Sequence, residues 1–522
     1  SVPHNNSTEP LQQPADTGMG RSMALVMGFM MLSKALGFIR EVVLSAKFGM
    51  DYVTDAYKTA FNIPCLLLSA LIIAAATIFV PIYNERRRES AESASRFTRV
   101  ILTLGLIVSA LIALSTYLAL PWLTGVMLPG ANADMISLTT GLTRIMMPMA
   151  LFVFLYRMLG AFLQARFHFT MTAVATCASA AVIILGITLS GGNIALVAVA
   201  TLIGMAVEFL TQLPAAYRRG LRLRPLVDFT DPGLKRLVFL TLPLLIGGVF
   251  DQLYIVFDRV VASATAGDIS ALDYGSRVTT MVSAAFLTTI ATVLYPSLTA
   301  STRDAKRFVG HFSLGVCLNV IIGLPAVAAL LMLRAPVTRL VFERGAFDAS
   351  DAAVTAGTMA CYALGIPGLG LKELCNRAFY ARQATRLPMA IGVLGVLLNI
   401  ALDYLLYTLM GVSGVALASA IAATITAGTL IILLRINTGR VGGGAILVCL
   451  GKTAAATAVM CGVIFAGSRA FSLQTAYGIK LALPLLGTAA AGLAAYVIVL
   501  ALLRTRELSD MVHMILNKRS IS

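Results

Sequence analysis

Runs of twenty or more predominantly apolar residues recur from residue 22 to residue 503, separated by short polar breaks. About 20 residues of helix span the hydrocarbon core of a bilayer, and inside lipid only structures that satisfy their own backbone groups survive. A water-soluble core cannot absorb this much apolar surface: 58% of the 522 residues are hydrophobic and 12% charged, against about 25% charged in soluble domains. The expected fold class is therefore all-α integral membrane. Fourteen spans are predicted, at 22 to 48, 57 to 83, 98 to 122, 138 to 164, 170 to 190, 193 to 216, 237 to 263, 274 to 298, 309 to 333, 352 to 379, 387 to 409, 412 to 435, 444 to 467 and 479 to 503.

The distribution of basic residues sets the orientation, because short cytoplasmic loops are enriched in Lys and Arg. Loops after even-numbered spans are basic, among them NERRRESAESASRFTR, YRRGLRLRPLVDFTDPGLKR and STRDAKR. Those after odd-numbered spans, such as GMDYVTD and ATAGDISALD, are short and acidic or neutral. Both ends of the chain are then expected in the cytoplasm. One outer loop departs, RAPVTRLVFERGAFDASD, with Arg334, Arg339 and Arg344. The net charge of +16 thus reads as attraction to anionic lipid. No basic stretch interleaved with aromatics supports nucleic-acid binding.

The first twelve spans divide into two similar halves, the sequence trace of a repeat-built transporter. IREVVLSAKFGMDYVTDAY around Arg40 resembles FDRVVASATAGDISALDYG around Arg259; LQARFHFTMTAV resembles FYARQATRLPMAI; GGNIALVAVATLIGMA resembles MGVSGVALASAIAATI. Six is even, so the repeats are parallel. The expected organisation is a disordered tail at 1–21, an N-lobe at 22–220, a cytoplasmic linker at 221–236, a C-lobe at 237–436, two extra spans within 437–505, and a cytoplasmic tail at 506–522. No cleavable signal peptide is expected, since the first apolar segment is long and further spans follow it. Pro64, Pro148, Pro243, Pro325 and Pro367 lie inside spans, where helices bend around cavities.

A charge at the centre of a membrane helix costs about 2.5–3.5 kcal/mol on insertion scales, so those retained usually face a cavity. The first span holds Lys34, Arg40 and Glu41; Asp55 and Lys58 open the second; Arg144 and Arg157 lie in the fourth and Arg277 in the eighth. One reading is a cationic cavity between the two halves for an anionic headgroup, with Arg forks suited to phosphate oxygens. The other is internal ion pairing, such as Arg40 with Asp55 or Glu41, with snorkelling at helix ends.

Asn399 and Asp403 are four residues apart, hence on one helix face, with Asp258 at similar depth and Ser419 supplying a hydroxyl. These oxygens suit Na⁺ or a proton relay; the plainer alternative is that Asp258 pairs with Arg259 or another buried cation. The seven cysteines lie in apolar segments without CxxC spacing, and the four histidines form no HExxH, so no metal site is expected. Nucleophile-elbow and P-loop patterns are absent from the sequence, and GIPGLG at 365 to 370 has no strand before it. No catalytic residues are assigned.

SKALGFIREVVLSAKFG with TDAY (33 to 57), FERGAF (342 to 347), FYARQATRLP (379 to 388) and LNIALDYLL (398 to 406) together resemble the MurJ (MviN) family of lipid II flippases, over about residues 22 to 505. The resemblance implies the multidrug/oligosaccharidyl-lipid/polysaccharide exporter superfamily fold, with two six-helix lobes, a central cationic cavity and alternating access. It also implies a bacterial inner-membrane location and a role in peptidoglycan synthesis. The substrate implied is undecaprenyl-pyrophosphate-MurNAc-pentapeptide-GlcNAc, with membrane lipids and peptidoglycan synthases as further partners. The two extra spans are expected to form a groove for the polyprenyl tail. The expected substrate-binding set is Lys34, Arg40, Asp55, Lys58 and Arg277, of which the resemblance implies all but Lys58; the expected ion-coupling set is Asp258, Asn399, Asp403 and Ser419, of which it implies all but Ser419, with Na⁺ or H⁺ as the coupling ion and no other cofactor.

The chain departs from the family where a basic residue usually follows the Pro of an LPNLLR pattern: IPCLLLSALIIAAA has Leu68 and Ser69 there. Lys58, Arg144 or another cation substitutes, or the substrate is held differently. The nearest rival function is a drug or polysaccharide-lipid exporter of the same superfamily. A rival of another class is a membrane-embedded transferase, which needs paired acids in a surface loop, where this chain has Arg runs.

Overall fold

The structure, a computed structural model, describes residues 16–283, 287–439, 443–473 and 478–503. The expected tail at 506–522, and residues 1–15 of the expected N-terminal tail, lie outside the described residues. The helices are α1 (Asp16–Phe48), α2 (Tyr52–Glu89), α3 (Ala91–Met127), α4 (Ala133–Met146), α5 (Met149–Ala165), α6 (Phe169–Leu189), α7 (Ile194–Arg218), α8 (Pro232–Ala262), α9 (Asp268–Val282), α10 (Thr288–Ala300), α11 (Ala305–Phe342), α12 (Ala349–Leu364), α13 (Ile366–Ala381), α14 (Arg386–Met410), α15 (Val412–Thr438), α16 (Gly443–Ala470) and α17 (Ala482–Leu502). There is no strand among the described residues, only an isolated bridge between Arg344 and Phe347.

Every predicted apolar segment coincides with a helix or a helix pair. Among the described residues, nine helices are long and apolar enough to cross a membrane, α12 and α13 together counting as one, or ten with the α4–α5 pair, which bends by 47°. Such a chain is a multi-pass membrane protein. Pro148 stands at the α4–α5 break and Pro367 just after the α12–α13 break at Gly365, as expected of a residue that cannot donate to the preceding turn. Pro325 lies within an unbroken α11.

Two turns in segments that resemble each other share one backbone arrangement. After α5, Arg166 ends the helix, Phe167 takes φ +59°, and the His168 N–H reaches back to the Leu163 carbonyl at 2.8 Å. After α13, Arg382, Gln383 at φ +59° and the bond from the Ala384 N–H to the Phe379 carbonyl at 3.0 Å repeat the arrangement. Both are Schellman-type ends with a non-glycine residue in the left-handed position, in the two segments that resemble each other in sequence.

The chain packs as two compact units. The first is Ser1–Arg40, Leu71–Leu114 and Ile145–Leu242; the second is Glu41–Ala70, Ser115–Arg144 and Pro243–Ser522. This partition by packing cuts across α1, α2, α3, α4 and α8 and differs from the sequence lobes. In the first unit α6 and α7 pair closely across a Gly191–Gly192 turn, and the Asn193 side chain caps α7 by accepting from the Ala195 N–H at 2.9 Å. In the second, Phe308, Phe312, Leu374, Phe379 and Leu430 form a buried core between α10, α11, α13 and α15. The extra helices α16 and α17 pack on α11, where the Tyr496 hydroxyl donates to the Ile321 carbonyl at 2.6 Å.

Candidate functional site

The first unit encloses a cavity of about 580 Å³ whose wall includes Lys34 and Arg40 from α1, Arg157 from α5 and Glu208 and Gln212 from α7. Three cations thus face one carboxylate. Glu208 is buried and accepts from the Thr176 hydroxyl at 2.9 Å. Gln212 is 1% exposed, and its carboxamide oxygen has no hydrogen-bond partner among the described residues. The lining therefore offers guanidinium and ammonium donors together with amide groups, the chemistry that phosphate and polar sugar or peptide groups take. Sequence reading missed Glu208, although an acid within the apolar stretch IALVAVATLIGMAVEFL is itself the signal.

The remaining predicted cations and Asp55 belong to the second unit. Here Arg277, Glu41, Lys58, Asp273 and Arg259 form a chain of alternating charge: Arg277 to Glu41 at 3.3 Å, Glu41 to Lys58 at 4.0 Å, Lys58 to Asp273 at 3.8 Å, and Asp273 to Arg259 at 3.1 Å. Lys58 is buried and its ammonium makes no hydrogen bond among the described residues; it lies 3.3 Å from the Tyr274 ring centroid, a cation–π contact. Tyr274 packs against Phe342 and Phe347, with ring centroids 5.1 and 5.7 Å away. The two phenylalanines of FERGAF therefore brace the platform under Lys58. Arg277 is the open end of the chain, its side chain 50% exposed. Internal pairing thus describes Lys58 fully and Arg277 in part.

Asp55 serves a different purpose from ion pairing. Helix α9 begins after Gly267, which has no side chain to cap it, so its first N–H groups need an acceptor from elsewhere. The Asp55 carboxylate supplies it, accepting from the Gly267 N–H at 2.7 Å, the Ser270 N–H at 2.7 Å and the Ser270 hydroxyl at 2.5 Å. A negative group at a helix N-terminus also complements the macrodipole. In the same helix Asp268 accepts from the Tyr407 hydroxyl at 3.0 Å, and burial lifts its carboxyl to about 6.

FERGAF closes against the end of α1. The Ala346 N–H donates to the Ala46 carbonyl at 2.8 Å. Gly345 has φ +63°, and a Cβ there would lie 2.1 Å from the Ala46 oxygen; only glycine tolerates both conditions. Nearby, the Met50 N–H donates to Asp351 at 3.2 Å.

The oxygen-rich set assembles around one amide. Asn399 Nδ2 donates to Asp258 at 3.1 Å and to Asp403 at 2.6 Å, and all three residues are buried. The second Asp403 oxygen has no hydrogen-bond partner among the described residues. Arg259 pairs with Asp273, so Asp258 is held by Asn399. The Ser419 hydroxyl makes no hydrogen bond to this trio and has no partner among the described residues. Two carboxylates on one amide are an arrangement that draws in a proton or a cation. At the departure from the family pattern, Leu68 is buried; Arg144 is exposed at the end of α4.

Comparison with known proteins gives concordant matches. The sequence model of the family described as "Lipid II flippase MurJ" matches residues 44–485. A probable lipid II flippase MurJ of Rhizobium meliloti (strain 1021) is 29% identical over 429 residues, covering 78% of this chain and 79% of its own length. One from Vibrio cholerae serotype O1 is 26% identical over 516 residues, covering 93% and 96%. Among solved structures, a lipid II flippase MurJ in an inward closed conformation superposes with TM-score 0.76 at 24% identity, covering 95% of this chain and all of that one. An inward-facing multidrug resistance MATE family transporter superposes with TM-score 0.66 at 16% identity, over 80% of this chain and 98% of that one.

Proposed function

The chain belongs to the lipid II flippase MurJ family, and from that premise we propose that it moves lipid II, the undecaprenyl-pyrophosphate-linked peptidoglycan precursor, from the inner to the outer leaflet of the bacterial cytoplasmic membrane. The observation that carries this reading is the cavity with Lys34, Arg40 and Arg157 on its wall. Guanidinium forks match pyrophosphate oxygens, and a polar cavity shields the headgroup from hydrocarbon while the tail stays in lipid. Lys34 and Arg40 bind the pyrophosphate, with Arg157 in place of the family's missing second-span cation. Arg277 is a further headgroup contact, held in reserve by Glu41. Asp55 and Lys58 act on the substrate through the elements they hold.

The full reading has fourteen crossings with both termini in the cytoplasm, parallel six-span lobes at 22–220 and 237–436, and the pair within 437–505 as the seat of the polyprenyl tail. It is supported by the helix at every apolar segment and by the matching turns at Phe167 and Gln383. The headgroup cavity opens to each side of the membrane in turn. Asp258, Asn399 and Asp403 bind the coupling ion, Na⁺ or H⁺, and Ser419 joins them when the ion is bound. Synthases that consume the outer-leaflet lipid are its partners.

Depleting the protein in growing cells and quantifying lipid II accessible on the outer leaflet tests the function. Loss of outer-leaflet lipid II is expected; an unchanged level together with lost drug export points instead to an exporter of the same superfamily.

A further inference from the structure

A second cavity, of about 990 Å³, lies in the first unit among the turn between α2 and α3, the ends of α5 and α7, and the segment 220–232 that follows α7. It is larger than the Lys34–Arg40 cavity and shares no lining residue with it. Seven arginines line it, against Glu92, Asp228 and Asp231.

Two of the arginines are neutralised in building the walls. Arg96 pairs with Asp228 at 2.7 Å and Arg86 with Asp231 at 3.2 Å, tying the 220–232 segment to α2 and α3. Asp228, which also accepts from Thr230, is drawn down to about 2 by that hydroxyl and by Arg96. The other five arginines have no carboxylate partner among the described residues. Arg99 donates to the Arg224 carbonyl at 2.9 Å. Arg166 and Arg219 donate to each other's backbone carbonyls at the ends of α5 and α7, which brings two like charges together. Arg219 also meets His168, whose imidazole is held below its ordinary value by burial and by that guanidinium. Arg166 Nε is buried with no hydrogen-bond partner among the described residues, and Arg87 stands near the same group. Arg87 and Arg222 are exposed and make no ion pair among the described residues.

A basic loop needs only positive charge to orient a membrane protein. It does not need a walled cavity in which five guanidiniums lack counter-charges, because like charges brought together repel unless an anion intervenes. We infer that this cavity is a second anion site, distinct from the headgroup cavity, which takes a phosphate-bearing ligand between Arg166 and Arg219 at its base and Arg87 and Arg222 at its mouth. The ligand is a soluble phosphate or pyrophosphate compound, or the headgroup of an anionic phospholipid, to which the exposed Val227 and Phe229 of the same segment offer an apolar edge.

The test uses the full chain with Lys34→Ala, Arg40→Ala and Arg157→Ala as a common background, which removes the cations of the headgroup cavity. In one arm, inorganic pyrophosphate is titrated by calorimetry into protein held in phosphatidylcholine nanodiscs. In the other, protein from phosphatidylglycerol nanodiscs is examined by native mass spectrometry for retained lipid. Saturable binding in the first arm identifies a soluble ligand, and retention in the second alone identifies a headgroup. Arg87→Gln with Arg222→Gln touches no structural contact and is expected to weaken the observed binding about tenfold or more, from the loss of two charge-assisted contacts. Arg166→Gln should do the same, with thermal unfolding measured alongside to separate lost binding from a lost helix end. Absence of saturable binding in both arms, or binding that the Arg87→Gln and Arg222→Gln pair leaves unchanged, overturns the inference.

Discussion

Asp55 grips Ser270 twice, accepting its N–H at 2.7 Å and its hydroxyl at 2.5 Å, and so ends the exposure of the first turn of α9. Replacing the carboxylate by an amide leaves one oxygen to accept, and the amide's N–H₂ opposes the donors around it. A charge-assisted hydrogen bond contributes about 1.5–3 kcal/mol, so Asp55→Asn should lower the unfolding temperature and weaken hydrogen-exchange protection at residues 267 to 271. Unaltered protection there would mean that α9 does not depend on this cap.

Gly345 leads to a sharper outcome, since its φ of +63° and the approach of the Ala46 carbonyl both exclude a side chain. Gly345→Ala should abolish growth complementation while the protein still accumulates in the membrane. The strain, on the order of 1–3 kcal/mol, opens the contact between FERGAF and α1 rather than unfolding the helices. Cysteines at positions 46 and 346 should cross-link in the parent and fail to do so in Gly345→Ala.

The sequence made the helices legible because lipid imposes length and polarity on each crossing, and the resemblance of LQARFHFTMTAV to FYARQATRLPMAI marked two segments as alike, although the Schellman-type turn within each was not legible. Asn399 and Asp403 were legible through a four-residue spacing that fixes one face. The partition of the cationic set was not. Lys34 and Arg40 line a cavity in one unit, whereas Lys58 and Arg277 enter a chain of alternating charge with Glu41 and Asp273, and which carboxylate meets which cation depends on helix rotation that composition does not encode. Asp55 reads in the sequence as an ion-pair or headgroup residue because two of its three donors are backbone N–H groups, which have no signature in the sequence.

Lys58 tests that charge chain directly. Removing one member of a buried ion pair costs about 3–5 kcal/mol because its partners stay charged. Lys58→Met, with Glu41 and Asp273 left facing each other, should therefore destabilise the protein strongly in detergent. The double variant Lys58→Met, Glu41→Gln, which leaves Asp273 to Arg259 and frees only the half-exposed Arg277, should recover part of the loss. Equal unfolding temperatures for the single variant and the parent would remove the chain from the account of stability.

Asp268 gives a pH signature outside the membrane spans. Its folded-state value of about 6 lies above the ordinary 3.8, so the folded state favours the protonated form. The contribution is fully present below about pH 4 and is lost as pH rises through 6. Asp268→Asn, which keeps an acceptor for Tyr407, should flatten the fall in stability between those limits and leave the protein at least as stable as the parent at pH 7.5. Thermal unfolding at half-unit pH steps measures this, and parallel curves for parent and variant would assign the pH dependence to another group.

The trio of Asp258, Asn399 and Asp403 bears on coupling. One amide holds two carboxylates, and one oxygen of Asp403 has no hydrogen-bond partner among the described residues, so an ion or proton has both a charge and a vacant acceptor to meet. Asp403→Asn removes that charge while preserving size, and Asp258→Asn removes the other. If the trio binds the coupling ion, each variant should still bind lipid II through Lys34 and Arg40 yet lose the response of transport to an imposed Na⁺ or pH gradient. Reconstituted vesicles that report lipid II movement under each gradient separate the two ions: a response to Na⁺ alone assigns a cation site and a response to pH alone a proton relay. Persistence of the parent's gradient response in both variants removes the trio from coupling and leaves it a buried polar contact between α8 and α14.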